Sequence, residues 1–412
     1  MRFLILNSDY PDFQQWLYAQ HPGLENQPYE KQMQVRKESL FSVSDIYSSN
    51  LRELGHETWN ICVNNELMQK AWVREYGHTS TIHQSGQMSS LLQKVVRKTR
   101  RIISRTPLRY LKSFFPTGLH SLGMQPEWFV CILEEQIIKY KPDVVLNQSM
   151  NRISPAFLRK MKPYIGLLVG QHAATRLNEK EDWSVYDLAI SSFPYTLEWF
   201  HAHNVPCKLS RLGFDTRVLE CVQNRDKTIP VSFVGSFATV HKPRTALLDF
   251  LSRKVPLSIW GPTSNEGFTG LGLAKCYKGT AWGIEMYEIL SQSRITVNHH
   301  GDVAPYANTL RLFEATGVGT LLITDWKVNL HEMFELGKEV VTYRTPEECA
   351  ELIQYYLNHD DEREAIARAG QRRTLRDHTF AQRIKELEQM THQAFTGISS
   401  SMRGPSTYEI RS

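Results

Sequence analysis

The chain has 412 residues, enough for two or three domains with sizeable cores. Hydrophobic residues are 41 % and charged residues 22 %, an ordinary globular balance, and no apolar run reaches the eighteen residues of a membrane span. The net charge of +5 is mild, and Cys62, Cys131, Cys207, Cys221, Cys276 and Cys349 are scattered without a C-x-x-C pair, which argues for reduced cytoplasmic thiols over disulfides or a zinc site.

The opening Met-Arg-Phe-Leu-Ile-Leu-Asn turns polar too soon for a signal peptide and reads as a strand, Phe3–Leu6. A helical stretch over about Glu38–Leu54 ends at Gly55, before a strand at Thr58–Val63. Residues 64–122 are irregular and partly helical. Within them, Lys94 to Lys112 hold eight basic residues and no acid, with Leu91, Leu92, Val95, Val96, Ile102 and Ile103 interleaved or just preceding. Such a segment suits an anionic membrane surface or an anionic acceptor. It equally suits a solvated helix whose Lys and Arg stems cover apolar area of their own domain. No nucleic-acid motif accompanies it, so nucleic acid is not an expected partner.

A helix at Trp128–Tyr140 leads to a strand at Asp143–Asn147. Helix Pro155–Met161, strands Ile165–Val169 and Leu188–Ser191, helix Tyr195–His203 and strand Cys207–Leu212 follow. The polar stretch Cys221–Ile229 reads as a linker. A second alternation begins with strand Val231–Val234, then helix 243–252, strand 256–260, helix 283–291, strand 294–299, helix 309–316, and strands 320–324 and 339–342. Helices 346–358, 361–374 and 379–393 close it, and from about 396 a Ser-rich tail reads as disordered. The βα alternation predicts an α/β protein with two doubly wound parallel sheets, over residues 1–222 and 230–378, followed by a helix at 379–395 and a flexible tail over 396–412.

The stretch 308–316, Asn-Thr-Leu-Arg-Leu-Phe-Glu-Ala-Thr, carries the most chemistry. Asn308 is a good N-cap, which makes Thr309 to Arg311 a first helical turn able to hold a phosphate. Arg311 adds a full charge. Glu314, one turn deeper, suits a ribose diol, since a carboxylate accepts two hydrogen bonds. The same i,i+3 pair is also readable as a surface ion pair worth about 0.2–0.5 kcal/mol.

The run from Arg294 to His378 resembles the C-terminal half of GT-B glycosyltransferases, of the "glycosyl transferases group 1" type found in CgeB-like spore-maturation proteins. The matching pieces are SRITVNHHGD (293–302), NTLRLFEATGVGTLLITD (308–325), FELGKEVVTYRTPEECAELIQYYL (334–357) and ARAGQRRTLRDHTFAQR (367–383). The resemblance implies two Rossmann-like domains with an inter-domain cleft, a nucleotide-diphosphate-sugar donor as substrate, no metal and no cofactor. It places the donor in the C-terminal domain and an unidentified acceptor on the N-terminal one. Many retaining members flank the donor with an E-x7-E pair. Glu314 matches the second glutamate, which holds the ribose, and Tyr306 stands where the first would be.

The resemblance also implies that the turn Gly235-Ser236 faces the donor phosphates, with Lys242 or Arg244 neutralising the leaving diphosphate. Asn308, Thr309 and Arg311 join that donor set, and His300, at a strand end, sits by the donor sugar. Adjacent histidines rarely ligate one ion, so His299 and His300 do not signal a metal. His172, after the strand Ile165–Val169, and Asp9, after the first strand, are the two candidates for a general base. No G-x-G-x-x-G, P-loop, G-x-S-x-G or D-x-D motif occurs. The alternative function is a non-catalytic nucleotide-sugar-binding or assembly protein that retains the fold, which Tyr306 keeps open.

Overall fold

The computed structural model describes residues 1–41, 45–77, 127–173, 177–222, 226–236, 242–262, 272–301 and 303–402. The basic segment 94–112 lies outside them. Six strands, β1 (Arg2–Asn7), β2 (Glu57–Cys62), β3 (Val144–Asn147), β4 (Leu167–Gln171), β5 (Leu188–Ser191) and β6 (Cys207–Leu209), form a sheet in the order β2-β1-β3-β4-β5-β6. Five more, β7 (Ile229–Val234), β8 (Leu257–Trp260), β9 (Ser293–Asn298), β10 (Leu321–Asp325) and β11 (Val341–Tyr343), form a second in the order β11-β10-β9-β7-β8. Every pairing in the second sheet is parallel. By contact, the chain separates into one compact unit of Met1–Arg36, His56–Gln171 and Leu177–Asp187, and another of Lys37–Gly55, His172–Arg176 and Leu188–Ser412.

Inner strands such as β1, β3 and β10 are buried nearly throughout, as expected of parallel sheets covered on both faces, while the edge strands β2 and β6 carry polar, partly exposed residues. In β10, Leu321 and Ile323 enter a core with Val231, Ile259, Leu248 and Ile353, while Leu322 faces the opposite way into a core with Leu290, Phe313 and Phe334. Each such burial contributes about 1.5–3 kcal/mol. The strand order reverses between β7 and β9 in the second sheet, with β8 on one side and β10 and β11 on the other. In an open parallel sheet the crevice at such a switch point, beyond the strands' carboxyl ends, is where ligands bind.

Three local expectations need correction. The helix expected over Glu38–Leu54 is confined to Ile46–Glu53, and a separate helix, Tyr29–Glu38, ends where the expected one begins. Leu40 adopts a left-handed φ of 52°, which no helix accommodates, so periodicity alone joined what the backbone separates. The tail expected to be disordered from 396 is helical as far as Met402, in the helix Phe380–Met402. The polar stretch read as a linker from Cys221 overlaps a short helix, Val218–Val222. Among the described residues no helix is long and apolar enough to cross a membrane.

Candidate functional site at the carboxyl edge of the second sheet

The site starts from the turn after β7. Gly261 has a φ of 147°, and a Cβ there would lie 2.0 Å from the Gly235 carbonyl oxygen, so only glycine lets the ends of β7 and β8 close together. Arg244, on the helix Lys242–Ser252, donates from Nη1 to the Ser236 carbonyl at 2.8 Å. Its Nε and Nη2 donate to the His299 carbonyl at 3.1 and 2.8 Å. The guanidinium thus ties the end of β7 to the end of β9 across the switch point. Three of its donors serve the backbone, so Arg244 braces the loops expected to face phosphate, and Lys242, at the helix start, is exposed.

Beyond β9, His300 is 3 % exposed and its backbone N–H and Nδ1 both lie on Asp325 Oδ1, at 2.8 and 2.7 Å. Lys327 Nζ is 3.2 Å from Asp325 Oδ2. Burial alone would raise the Asp325 carboxyl, but hydrogen bonding and charge from His300, with charge from His299, hold it well below the usual carboxylate range. Tyr343 closes the cluster. Its hydroxyl donates to the Asn298 carbonyl at 2.9 Å and lies 3.1 Å from His299 Nδ1.

The helix Arg311–Gly317 begins later than expected. Leu310 is its N-cap residue, and Asn308 is not a cap. Asn308 instead donates from Nδ2 to the Ala173 carbonyl at 2.9 Å and accepts from Ser192 Oγ at 2.7 Å. Its side chain is spent on tertiary contacts, which local sequence preference does not encode. Thr309 Oγ1 accepts from the Arg311 N–H at 3.3 Å. The helix packs tightly at its far end, where a Cβ on Gly317 would lie 2.6 Å from the Phe214 ring.

Glu314 is 6 % exposed, and its Oε2 lies 2.9 Å from Arg311 Nη1, with the two side chains only 8 % and 11 % exposed. A surface ion pair is therefore excluded. Tyr287 donates to Glu314 Oε1 at a long 3.4 Å, and burial, then the neighbouring carboxylate, pushes that phenol well above its ordinary range. Arg311 Nη2 also meets Met286 Sδ at 3.3 Å. Tyr306, where the E-x7-E pattern has a glutamate, places its hydroxyl 3.5 Å from Glu198 Oε1 and its ring edge-on to Phe193.

The two expected general bases differ in state. Asp9 is 7 % exposed and held by Arg36 in a fork, Nε to Oδ2 at 2.6 Å and Nη2 to Oδ1 at 2.7 Å. Cys62 Sγ adds a contact to Oδ2 at 3.2 Å. Both oxygens are engaged, so Asp9 is a buried ion-pair partner and not the free carboxylate the sequence suggested. His172 is half-buried directly after β4, its backbone N–H on the Ile190 carbonyl at 3.2 Å.

Sequence reasoning missed Asp325, Lys327 and Tyr343. A signal for the first was present, since Asp325 ends an apolar parallel strand at its carboxyl edge. Tyr343 had none, because its role depends on strand order. Among the described residues no three His, Cys, Asp or Glu side chains cluster as a metal site.

Residues 244–389 match a family described as "Glycosyl transferase-like". No curated protein matches the chain. A glycosyltransferase from Rickettsia africae ESF-5 superposes with a TM-score of 0.56 at 12 % identity, covering 95 % of this chain and 98 % of that one. Anabaena Alr3699/HepE, crystallised in complex with UDP-glucose, superposes with a TM-score of 0.54 at 12 % identity, covering 95 % and 100 %. At such identities the likeness concerns architecture. The fold is GT-B, with two parallel-sheet α/β domains, and its second half carries the glycosyl transferase-like segment.

Proposed function

We propose that the protein is a glycosyltransferase that moves a sugar from a nucleotide-diphosphate donor, with uridine as the base, to an acceptor. The observation that carries this reading is the buried Arg311–Glu314 pair within the family-matched segment 244–389. Arg311 and Tyr287 hold the Glu314 carboxylate in place, and each of its oxygens keeps a further lone pair to which a ribose hydroxyl can donate. The structural relatives crystallised with UDP and UDP-glucose support the choice of base.

Within this reading Glu314 holds the ribose, while Arg311, Lys242 and the Gly235-Ser236 turn offset the charge that develops on the departing diphosphate. Such stabilisation requires neither a metal nor a cofactor. His172 is the candidate for taking the acceptor's proton, and general-base help is typically worth 10²–10⁴-fold. His172→Ala is expected to slow transfer on that scale while nucleotide affinity holds. Loss of both together would assign His172 to structure instead. All six cysteines are free thiols, which supports a reducing, cytoplasmic setting.

The test is a thermal-shift panel of UDP, GDP and TDP. A ligand at a hundredfold excess over its Kd stabilises the fold by about 2.7 kcal/mol. UDP is expected to shift the midpoint most, and a flat panel would remove the donor site. Tyr306 in the glutamate position favours one second reading, a nucleotide-sugar binder without transfer. Slow hydrolysis of a bound UDP-sugar in the absence of acceptor would exclude it.

A further inference from the structure

We infer that Tyr287 is a positioning residue that fixes the plane of the Glu314 carboxylate, so that the site selects ribonucleoside diphosphates over their 2′-deoxy counterparts. This selection rests on the reading in which Glu314 holds the donor's ribose, and adds to it the class of nucleotide that the site refuses.

A glutamate's last torsion is soft, because rotation between a tetrahedral and a trigonal carbon has broad minima. A single partner therefore holds a carboxylate in place but leaves its plane free to turn. Glu314 has a partner on each oxygen, from two different helices. Arg311 Nη1 lies 2.9 Å from Oε2, on the same helix. The Tyr287 hydroxyl lies 3.4 Å from Oε1, and comes from the helix Ile284–Gln292. That contact is long, but among the described residues the buried phenol has no other hydrogen-bond partner. Burial, then the Glu314 charge, pushes the phenol well above its ordinary range, so at neutral pH it keeps its proton and donates.

The helix that carries Tyr287 is itself held. Its Ile284 N–H donates to the Ser39 carbonyl at 3.0 Å, and the Tyr287 ring stands edge-on to Phe214 with centroids 6.4 Å apart. Met286 puts its Sδ 3.3 Å from Arg311 Nη2. Two successive residues of one helix thus touch both members of the Arg311–Glu314 pair, and neither member can turn without the other helix.

The consequence lies in the ribose. A diol has two hydroxyls, and a carboxylate held in one plane offers an oxygen to each. A 2′-deoxyribose supplies only one, and the other oxygen is stranded in a buried site, which is how a site built for a hydroxyl rejects the analogue without it. A carboxylate free to turn re-aims at the single remaining hydroxyl and gives up that selection. Tyr287 therefore acts on the preference between nucleotides more than on nucleotide binding as such.

Calorimetry with UDP and with 2′-deoxy-UDP, on wild type and Tyr287→Phe, tests this. The substitution keeps the ring and removes only the hydroxyl. Wild type is expected to bind UDP about tenfold or more tightly than 2′-deoxy-UDP, and Tyr287→Phe to narrow that ratio by about threefold or more. A ratio unchanged in Tyr287→Phe, whether both affinities fall together or neither falls, would confine Tyr287 to packing and overturn the inference. A wild type that binds UDP and 2′-deoxy-UDP alike would overturn it whether or not the variant folds. Failure of UDP to bind wild type would instead overturn the donor reading beneath it.

Discussion

Arg311 and Glu314 show why burial, and not spacing, decides the worth of an ion pair. Three residues apart on an exposed helix they would contribute a few tenths of a kcal/mol. With both side chains about nine-tenths buried, removing one strands the other's charge, typically at a cost of about 3–5 kcal/mol. Arg311→Ala is therefore expected to lower the unfolding free energy by about 3 kcal/mol in urea melts. Its UDP affinity should fall more than its uridine affinity, and equal losses for the two would confine Arg311 to a structural role. Arg244→Lys should also destabilise, by about 1–2 kcal/mol, because an ammonium cannot span the Ser236 and His299 carbonyls as the guanidinium fork does. A melt unchanged by Arg244→Lys would show that the fork carries little. The sequence singled out Glu314, Arg311 and His300 because strand-end and helix-start positions mark themselves in a βα pattern, and all three lie within or beside the second sheet's carboxyl edge, largely buried. Asp9 was singled out for the same reason, and the structure adds what no local pattern announces, that Arg36, twenty-seven residues on, engages both of its oxygens.

At the scale of elements, sequence periodicity located the strands of both sheets to within a few residues, since parallel strands are short apolar runs bounded by turn residues. It failed where the backbone breaks without changing hydrophobicity, as at Leu40, and where a side chain's partner is remote, as at Asn308. His378, between helices Asp360–Asp377 and Phe380–Met402, is a further case. Its Nε2 lies on the Met333 carbonyl and its Nδ1 on Arg383 Nη2, each at 2.8 Å. Arg383 can only donate, so Nδ1 accepts and the ring is neutral. Burial, with the nearby Arg383 and Arg373 charges, lowers its pKa from 6.5 to about 4. Between those values the unfolded chain binds a proton that the native one refuses. Stability at this position is therefore complete above about pH 6.5 and falls as pH drops toward 4, by at most about 1.4 kcal/mol per pH unit. Urea melts at pH 7 and pH 5 should show the loss, and His378→Gln should flatten it. A His378→Gln protein with the wild-type pH dependence would place the titrating group elsewhere.

For the whole molecule, the fold class followed from the βα alternation, and the sheet orders explain where the site forms. The order β11-β10-β9-β7-β8 puts the ends of β7 and β9 side by side, and Arg244 bridges them. Residues distant in sequence, such as Gly235, His299 and Asp325, thereby share one edge, and no pairwise spacing in the chain reveals that. The central claim is that this edge binds a uridine diphosphate through Glu314. Isothermal calorimetry of UDP against wild type and Glu314→Gln, a variant of the same shape without the charge, tests it most directly. Losing a charge-assisted hydrogen bond costs about 1.5–3 kcal/mol, so affinity should fall at least tenfold while circular dichroism stays native. A folded Glu314→Gln protein that binds UDP as wild type does would contradict the claim.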